Sequence, residues 1–213
     1  MSGEAATAGA PRRDSQGHDG QDAEERGPRL QTERLLLRRW REDDLVPFAA
    51  MCADPAVMEH FPATHTTEQS AALMLRIEEG FERDGYGAWA VEVPGEAAFI
   101  GFIGLFRIDA AMPFAPGVEI GWRLSRPWWG RGLAHEGACA AVRFGFEALE
   151  LPALLAYTAE RNSRSRRLME RLAMDRDPAE DFDHPGIATG HPLTRHVVYR
   201  LDAASWRTRS RSG

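Results

Sequence analysis

Apolar side chains recur at helical spacing in four segments of the chain, and flanking residues mark where the helices start or stop. Asp43 and Asp44 are both suitable N-caps for the first segment, which Asp54-Pro55 then breaks. In the second segment, Gln69 stands three residues after Thr66, which is the spacing of a capping box. The predicted helices cover about 44–53, 66–84, Leu133 to Leu149 and Ser163 to Leu172.

Six other segments are short and rich in apolar residues, which favours strands. They are Arg34–Trp40, Ala88–Val93, Phe99–Ile108, Val118–Leu124, Ala153–Ala159 and Arg195–Leu201. The element order is therefore strand, two helices, three strands, helix, strand, helix, strand. Three consecutive strands predict an antiparallel meander, and the later units predict crossovers. We expect one domain of the α/β (α+β) class, built on a mixed sheet flanked by helices.

The two ends of the chain differ in composition from this central part. Met1–Pro28 contains no Val, Ile, Leu, Phe, Trp or Tyr, so it has too little apolar surface to offset the entropy of ordering. We expect a disordered tail over 1–28, one domain over 29–204 and a basic tail over 205–213. The sequence has neither a signal-peptide pattern nor an apolar segment long enough to span a membrane, so we expect a cytoplasmic protein.

Charge and cysteine content exclude several classes of function. A net charge of −6 argues against a general nucleic-acid binder. All 26 basic residues are arginine, and the absence of lysine removes a Walker A site, Schiff-base chemistry and any Ser-Lys pair. The two cysteines, Cys52 and Cys139, are too few for a disulfide framework, and both lie in apolar helical patterns that favour buried thiols.

A glycine-containing turn separates the strand that ends at Leu124 from the helix that starts near Leu133. Gly130 and Gly132 can adopt backbone angles closed to other residues, and the helix start offers unpaired N–H groups and a positive dipole end. This combination is typical of an anion site, most often one for phosphate. A dinucleotide fingerprint is disfavoured because His135 stands where its third glycine belongs, and a P-loop is excluded by the absence of lysine.

Two stretches carry a family resemblance: "VEIGWRLSRPWWGRGLAHEGACAAVRFGF" and "AERNSRSRRLMERLAM". They resemble the GNAT superfamily of acetyl-CoA-dependent N-acetyltransferases, in particular its RimJ/RimL-type branch. The resemblance covers most of Leu30–Leu201. It implies the GNAT fold, a mostly antiparallel twisted sheet whose fourth and fifth strands splay apart to bind acetyl-CoA. The superfamily's pyrophosphate motif maps to Trp129–Ala134, with Trp129 in place of its usual polar first residue.

The resemblance also implies which residues hold the coenzyme. The backbone of Trp122, Arg123 and Leu124 would pair with the pantetheine arm, and Asn162 would contact that arm. Ser165 would lie close to the thioester sulfur. The amides that would surround the pyrophosphate, after Trp129, are those of Gly130, Arg131, Gly132, Leu133 and Ala134.

Acetyl transfer to an amine needs a base, since the amine must lose a proton to attack. Glu119 is the first candidate, because it lies in the central strand where the family commonly has Glu. Its alternative is an ion pair or a solvent-facing strand position. No metal is expected, because no paired ligand spacing is present.

The proton donor to the leaving thiolate is less clear from the pattern. Many relatives use a tyrosine where this chain has Met169, which cannot donate a proton. Ser165, one turn earlier, is the alternative donor that the RimL-like branch suggests. Ser165 also fits a purely structural role in the first helical turn, with Asn162 as the cap, and the two roles are compatible.

The polar stretch Asp177–Pro192 is a candidate wall for a cationic acceptor, with His184 as a second base. Its alternative is a surface loop whose Asp and His side chains cap turns. The expected acceptor is a small molecule, a peptide or a protein N-terminus, the expected assembly a monomer or homodimer, and neither nucleic acid nor membrane is an expected partner. Two rival hypotheses are an acyl-CoA-binding module without transferase activity and a nucleotide-binding domain.

Overall fold

An eight-stranded sheet organises residues 27–210, the part of the chain that the structure, a computed structural model, describes. The strands are β1 (Leu30–Gln31), β2 (Leu36–Arg38), β3 (Ala88–Val93), β4 (Ala97–Arg107), β5 (Val118–Leu124), β6 (Ala153–Ala159), β7 (Phe182–Asp183) and β8 (Arg195–Asp202). Their order across the sheet is β1-β2-β3-β4-β5-β6-β8-β7. All neighbours are antiparallel except β5 and β6, so the predicted mixed, mostly antiparallel GNAT-type sheet is confirmed.

The helices cover both faces of this sheet. They are α1 (Leu45–Ala53), α2 (Thr67–Asp84), α3 (Leu133–Glu147), α4 (Ser163–Arg171) and α5 (Ala203–Ser210). Phe48 of α1 packs edge to face against Phe102, with 6.1 Å between ring centroids, whereas α3 places Gly137 against Ile103. Because Phe102 and Ile103 are successive residues of β4, they point to opposite faces, and α1 and α3 therefore lie on opposite sides. None of the described helices has the length and hydrophobicity needed to cross a lipid bilayer.

The meander β3–β4–β5 and the helix ends agree with the periodicity of the sequence. At the start of α2, the Thr66 side chain accepts a hydrogen bond from the amide of Gln69, and Gln69 reciprocates. Gly85 ends α2 in the left-handed conformation, with φ of 74°. The predicted capping box is thus confirmed.

Several boundaries differ from those predicted. The first predicted strand shortens from Arg34–Trp40 to Leu36–Arg38, α3 ends two residues before Leu149, and the short β1 and β7 were not predicted. The basic tail predicted over 205–213 starts inside α5, because Trp206 packs on Phe146 with 5.2 Å between ring centroids. The tail predicted over 1–28 lies outside the described residues except for its last two.

Asp44 occupies the N-cap position of α1, as one of the two predicted caps, but its side chain makes no capping hydrogen bond and turns inward to pair with Arg38. One expectation about α3 was wrong. Cys139 is exposed rather than buried, because helical geometry places it on the outer face of α3 between the buried Ala138 and Ala140. Cys52 is buried, as expected.

Beyond one residue pair, β5 and β6 separate. Glu119 and Leu155 are the sole register pair that joins these two parallel strands, whereas β4 and β5 share seven pairs and β6 and β8 share another seven. The facing edges of β5 and β6 therefore lack a strand partner past Glu119. This divergence opens the centre of the sheet.

A buried arginine joins α1 to the sheet. Arg38 of β2 is 4% exposed, and its guanidinium donates two hydrogen bonds to Asp44, at 2.8 and 2.9 Å, and one to Glu92, at 2.9 Å. It also donates to the carbonyl oxygens of Ala98 and Arg39. Although burial acts against the charge, these hydrogen bonds raise the pKa of Arg38 above its ordinary value. The network fixes α1, and with it one wall of the central opening.

We expect Asp44→Asn to lower the free energy of unfolding by about 3 kcal/mol, because the buried Arg38 loses one of its two carboxylate partners and retains Glu92 alone. Asp43→Asn is the matched control, since Asp43 is the exposed neighbour. Urea unfolding of both variants measures the difference. Equal stabilities of the two variants would show that the Arg38 network does not hold α1 in place.

Candidate active site

A cleft of about 880 Å³ occupies the opening between β5 and β6. Its walls come from β5 and β6 themselves, the turn before α3, the start of α4, the α1–α2 connection and the loop around His184. All the predicted site residues except Arg131 line this cleft. They are Glu119, Trp122, Arg123, Leu124, Trp129, Gly130, Gly132, Leu133, Ala134, Asn162, Ser165 and His184.

The turn before α3 uses both of its glycines in the left-handed region. Gly130 has φ of 72°, and Gly132, which caps α3, has φ of 79°. Among residues 27–210, a Cβ at Gly130 would meet nothing within 4 Å, and one at Gly132 would meet only the Arg34 side chain at 3.6 Å. Backbone conformation rather than crowding therefore requires glycine here. The turn leads directly to the unpaired N–H groups at the start of α3, which favour an anion.

A carboxylate in the first turn of α3 holds this glycine turn in place. Glu136 accepts hydrogen bonds from the Thr32 hydroxyl at 2.5 Å, the Arg34 amide at 2.9 Å and the Arg34 Nε at 2.6 Å. The same Arg34 side chain donates to the carbonyl oxygen of Arg131 at 3.0 Å. The segment between β1 and β2 thereby holds the glycine turn in place through Glu136 and the carbonyl oxygen of Arg131.

The two tryptophans of the turn act as anchors. The Trp129 indole donates to the carbonyl oxygen of Leu124 at 2.7 Å, so the turn folds back onto the end of β5. The Arg131 guanidinium lies over Trp128, 4.5 Å from the ring centroid, and pairs with Glu96 at 3.4 Å. These two contacts hold the Arg131 side chain, which is not among the residues that line the cleft.

Arg164 of α4 reaches across the cleft. Its guanidinium lies over the Trp129 ring, 4.5 Å from the centroid, and it also pairs with Glu59 of the α1–α2 connection at 2.6 Å. His60, Phe61 and Pro62, which follow Glu59, line the cleft from the same side. One side chain thus contacts both the glycine turn and the opposite wall.

Glu119 lies where β5 and β6 begin to diverge. Its Oε2 is buried without a hydrogen-bond partner among the described residues. Burial raises the pKa of Glu119 from 4.5 to about 7, and a hydrogen bond from the Tyr157 hydroxyl acts in the opposite direction. Neither the predicted ion pair nor a solvent-facing position applies. A carboxylate of this kind can take up a proton near neutral pH.

Tyr157 is a cleft residue that sequence reasoning missed. It stands two positions after Leu155, the partner of Glu119, so the alternation of strand residues puts it on the same face of the sheet as Glu119. Burial, the negative charge of Glu119 and their hydrogen bond all raise the pKa of the Tyr157 phenol, so it remains protonated. The sequence contained the signal in the period of β6, but only the pairing of β5 with β6 reveals its partner.

Asn162 caps α4, and its side chain accepts a hydrogen bond from the Ser165 amide at 3.1 Å. The Asn162 amide group donates to the Thr158 hydroxyl at 2.9 Å. The structural role considered for this pair is therefore present, and Ser165 also lines the cleft. Met169, one turn later, lines the same cleft and is 1% exposed.

The loop around His184 supplies imidazoles rather than carboxylates. The His184 and His196 rings lie 4.9 Å apart, and both side chains line the cleft. Burial lowers the pKa of each ring, which favours the neutral form. His184 Nδ1 accepts a hydrogen bond from the Gly186 amide at 3.1 Å, so its Nε2 is the nitrogen left for other partners.

The remaining polar residues of this loop have structural partners. Asp181 pairs with Arg176, and Asp183 pairs with Arg195 at 3.4 Å. His191 accepts a hydrogen bond from the Leu193 amide at 3.1 Å, which closes a turn. Within residues 27–210, no group of three or more His, Cys, Asp or Glu side chains is placed to hold a metal ion.

Comparison with known sequences agrees with this geometry. Residues 34–175, about two thirds of the chain, match the acetyltransferase (GNAT) domain family. The uncharacterised N-acetyltransferase YnaD of Bacillus subtilis is 26% identical over 177 residues, which cover 83% of this chain and 98% of YnaD. The FsC-acetyl coenzyme A-N(2)-transacetylase of Aspergillus fumigatus is 32% identical over 145 residues, which cover 60% of this chain and 57% of that protein.

Solved structures share the architecture. The crystal structure of an acetyltransferase from Agrobacterium tumefaciens superposes with a TM-score of 0.67 at 27% identity. The superposition covers 82% of this chain and 94% of the other.

The buried Glu119 makes stability depend on pH in a defined direction. Between pH 4.5 and about pH 7, Glu119 binds a proton more tightly in the folded state than in the unfolded state. The contribution of Glu119 to the free energy of unfolding therefore falls as the pH rises through this range. Glu119→Gln removes this loss. We expect the variant to be more stable than the wild type at pH 8 by up to about 3 kcal/mol, at about 1.4 kcal/mol for each pKa unit.

Urea unfolding at pH 5 and pH 8 tests this expectation. Glu147→Gln is the control, because Glu147 is an exposed residue at the end of α3. The advantage of Glu119→Gln over the wild type must grow between the two pH values, while that of the control stays constant. A constant difference for both variants would contradict the raised pKa.

Proposed function

The chain belongs to the GNAT acetyltransferase family, and we propose that it transfers an acetyl group from acetyl-CoA to a primary amine by direct attack in a ternary complex. The observation that carries the proposal is the cleft between β5 and β6, with a glycine turn at one end and the buried Glu119 at the other. The acceptor is a small molecule, a peptide or a protein N-terminus. The tryptophan at the start of the turn favours the RimJ/RimL-type branch within the family.

The unpaired edge of β5 suits the pantetheine arm. Backbone groups of Trp122–Leu124 face the gap, and an extended amide-containing chain can pair with such an edge as a strand does. The pyrophosphate then reaches the amides of Gly130–Ala134 at the start of α3. Asn162, already oriented by Thr158 and Ser165, closes the far side of the gap.

Glu119 is the general base. Acetyl-CoA supplies an acyl group activated as a thioester, and the neutral amine forms the new C–N bond as the C–S bond breaks. Glu119 accepts the proton that the amine loses, and its pKa of about 7 suits this transfer near neutral pH. His184, held neutral with its Nε2 available, serves as a second acceptor of protons in the same cleft.

The departing thiolate needs a proton, and Ser165 supplies it from the start of α4. Met169, at the position where many relatives have tyrosine, has no proton to give. Tyr157 lines the cleft from β6 instead, and the interaction with its hydroxyl lowers the pKa of Glu119 against the effect of burial. We assign Tyr157 the role of positioning residue, because it acts on the base.

Ligand-induced stabilisation and turnover together test the proposed function. We expect coenzyme A to raise the melting temperature whereas NAD and ATP do not, and we expect acetyl-CoA to release free thiol in the presence of an amine panel. Glu119→Gln should lower kcat/KM by about 100-fold or more and remove the rise in rate near pH 7. Glu147→Gln again serves as the control.

Other outcomes would favour the rival functions. Binding of coenzyme A without turnover of any amine would identify an acyl-CoA-binding module. Stabilisation by NAD or ATP instead of coenzyme A would identify a nucleotide-binding domain.

The two hydroxyl groups of the cleft should respond differently to removal. Ser165→Ala lowers the plateau of kcat about tenfold or more without shifting the pH profile, because a proton donor is lost. Tyr157→Phe shifts the rise in rate to higher pH, because the carboxylate of Glu119 loses a hydrogen bond.

Full pH profiles of kcat/KM and kcat for both variants test this difference. Ser163→Ala is the control for Ser165, since Ser163 lies in the same helical turn and is exposed. An unshifted profile for Tyr157→Phe would remove Tyr157 from the positioning role, and an unchanged plateau for Ser165→Ala would remove Ser165 from proton transfer.

A further inference from the structure

Arg123 is a partly buried arginine that has no carboxylate partner among residues 27–210. Its Nε is buried without any hydrogen-bond partner, and the polar contact that its guanidinium makes is with the Cys52 thiol at 3.4 Å. A thiol is a weak acceptor. Burial consequently lowers the pKa of Arg123 below its ordinary value. A cation in such a position lowers the stability of the folded protein unless an anionic group balances its charge.

Arg38 shows what this chain does with a buried arginine that serves structure alone. Its guanidinium has two carboxylates and two carbonyl oxygens as acceptors, and its pKa is raised rather than lowered. Arg123 lies in the same domain and has none of these acceptors. The difference between the two arginines indicates that the partner of Arg123 comes from outside the fold.

Aromatic rings leave the hydrogen-bonding edge of Arg123 free. The guanidinium carbon lies 4.1 Å from the centroid of the Phe61 ring and 5.3 Å from that of Phe102. Such stacking covers the faces of the guanidinium, whereas its N–H groups point outward in the plane of the group. Arg123 lines the cleft, and the Cys52 thiol is the one acceptor that its guanidinium has among residues 27–210.

The register of the sheet places Arg123 on the same wall as the base. Glu119 pairs with Phe106 and Arg123 pairs with Phe102, and residues four apart on one strand share a face. Their Cα atoms are about 13 Å apart at the usual rise of about 3.3 Å per residue. A molecule whose amine lies at Glu119 can therefore extend along β5 toward Arg123.

We propose that the Arg123 side chain binds a carboxylate of the acceptor, which makes this enzyme selective for amines that carry a carboxylate at a distance from the reacting nitrogen. The inference rests on the proposed function, since the amine is placed at Glu119. The coenzyme is another source of anionic oxygens. The acceptor is favoured because the three side chains that the guanidinium of Arg123 contacts, Cys52, Phe61 and Phe102, belong to α1, the α1–α2 connection and β4 rather than to the turn before α3.

Matched acceptors isolate the role of the carboxylate. Glycine, γ-aminobutyrate and ε-aminocaproate are compared with their own carboxamides, so that each pair differs by one charged group and the series varies its distance from the amine. For the pair of best length, we expect the wild type to prefer the carboxylate by on the order of 100-fold in kcat/KM.

The variants are Arg123→Met, Arg123→Lys and the control Arg126→Gln, which removes an exposed arginine three residues away. Arg123→Met should bring the preference to about one, and Arg126→Gln should retain it. Arg123→Lys should give an intermediate preference, because an ammonium cannot form the two parallel hydrogen bonds of a guanidinium. The proposal would be overturned if the wild type showed no preference for the carboxylate in any of the three pairs, or if Arg123→Met kept that preference.

Two binding measurements separate this inference from its alternatives. If Arg123→Met weakens coenzyme A binding more than tenfold and keeps the acceptor preference, the anionic group belongs to the coenzyme and the proposal fails. If no amine is acetylated, the proposed function fails. The inference then still predicts that ε-aminocaproate or γ-aminobutyrate raises the melting temperature of the wild-type complex with coenzyme A. Neither compound should raise the melting temperature of the Arg123→Met complex. Equal stabilisation by carboxylates and carboxamides would refute it.

Melting temperature without ligand distinguishes binding from packing. Replacing an unpaired buried cation by an apolar side chain of similar length leaves the protein as stable or makes it more stable. We therefore expect Arg123→Met to melt no lower than the wild type. A clear fall in melting temperature would assign Arg123 to packing between Phe61 and Phe102 and would overturn the proposal.

Discussion

The hydrogen bonding of β5 with β6 persists at a single pair, Glu119 and Leu155, and most of the functional geometry depends on this constraint. Each strand remains fully paired on its other side, so the sheet stays rigid while its centre opens. The two free edges expose backbone donors and acceptors that water or a ligand must satisfy. The opening also brings side chains of β5, β6 and α4 to one cavity, and it leaves Glu119 at the closed end, where water has least access.

Two polar networks keep the walls of this opening in position. Arg38 and its carboxylates fix α1 to the sheet, and Glu136 with Arg34 fixes the glycine turn from the opposite side. Both networks lie outside the cleft. Their strength allows the cleft itself to hold groups that are poorly satisfied, such as the carboxylate of Glu119 and the guanidinium of Arg123. Such groups are costly to stability, and the surrounding structure offsets that cost.

Local sequence signals predicted the local features of this fold. The capping box at Thr66 and the meander of three strands depend on neighbours within a few residues or on period alone, and both are present. The divergence of β5 from β6 entered the interpretation through family resemblance, because strand pairing between residues 36 positions apart leaves no local pattern. For the same reason Tyr157 and His196 were missed, although alternation along β6 and β8 was readable. The inward turn of Asp44 was missed because its partner Arg38 lies on a strand, outside the helical pattern that Asp44 begins.

Arg164 joins two parts of the molecule that otherwise belong to separate elements. Its guanidinium stacks on Trp129, beside the glycine turn, and pairs with Glu59, beside the wall that includes Phe61. The mouth of the cleft is therefore bridged by a side chain of α4, the helix whose first turn contains Ser165. Both rims of the cleft therefore share one guanidinium, and the end of α4 that contains Ser165 is held by contacts with each of them.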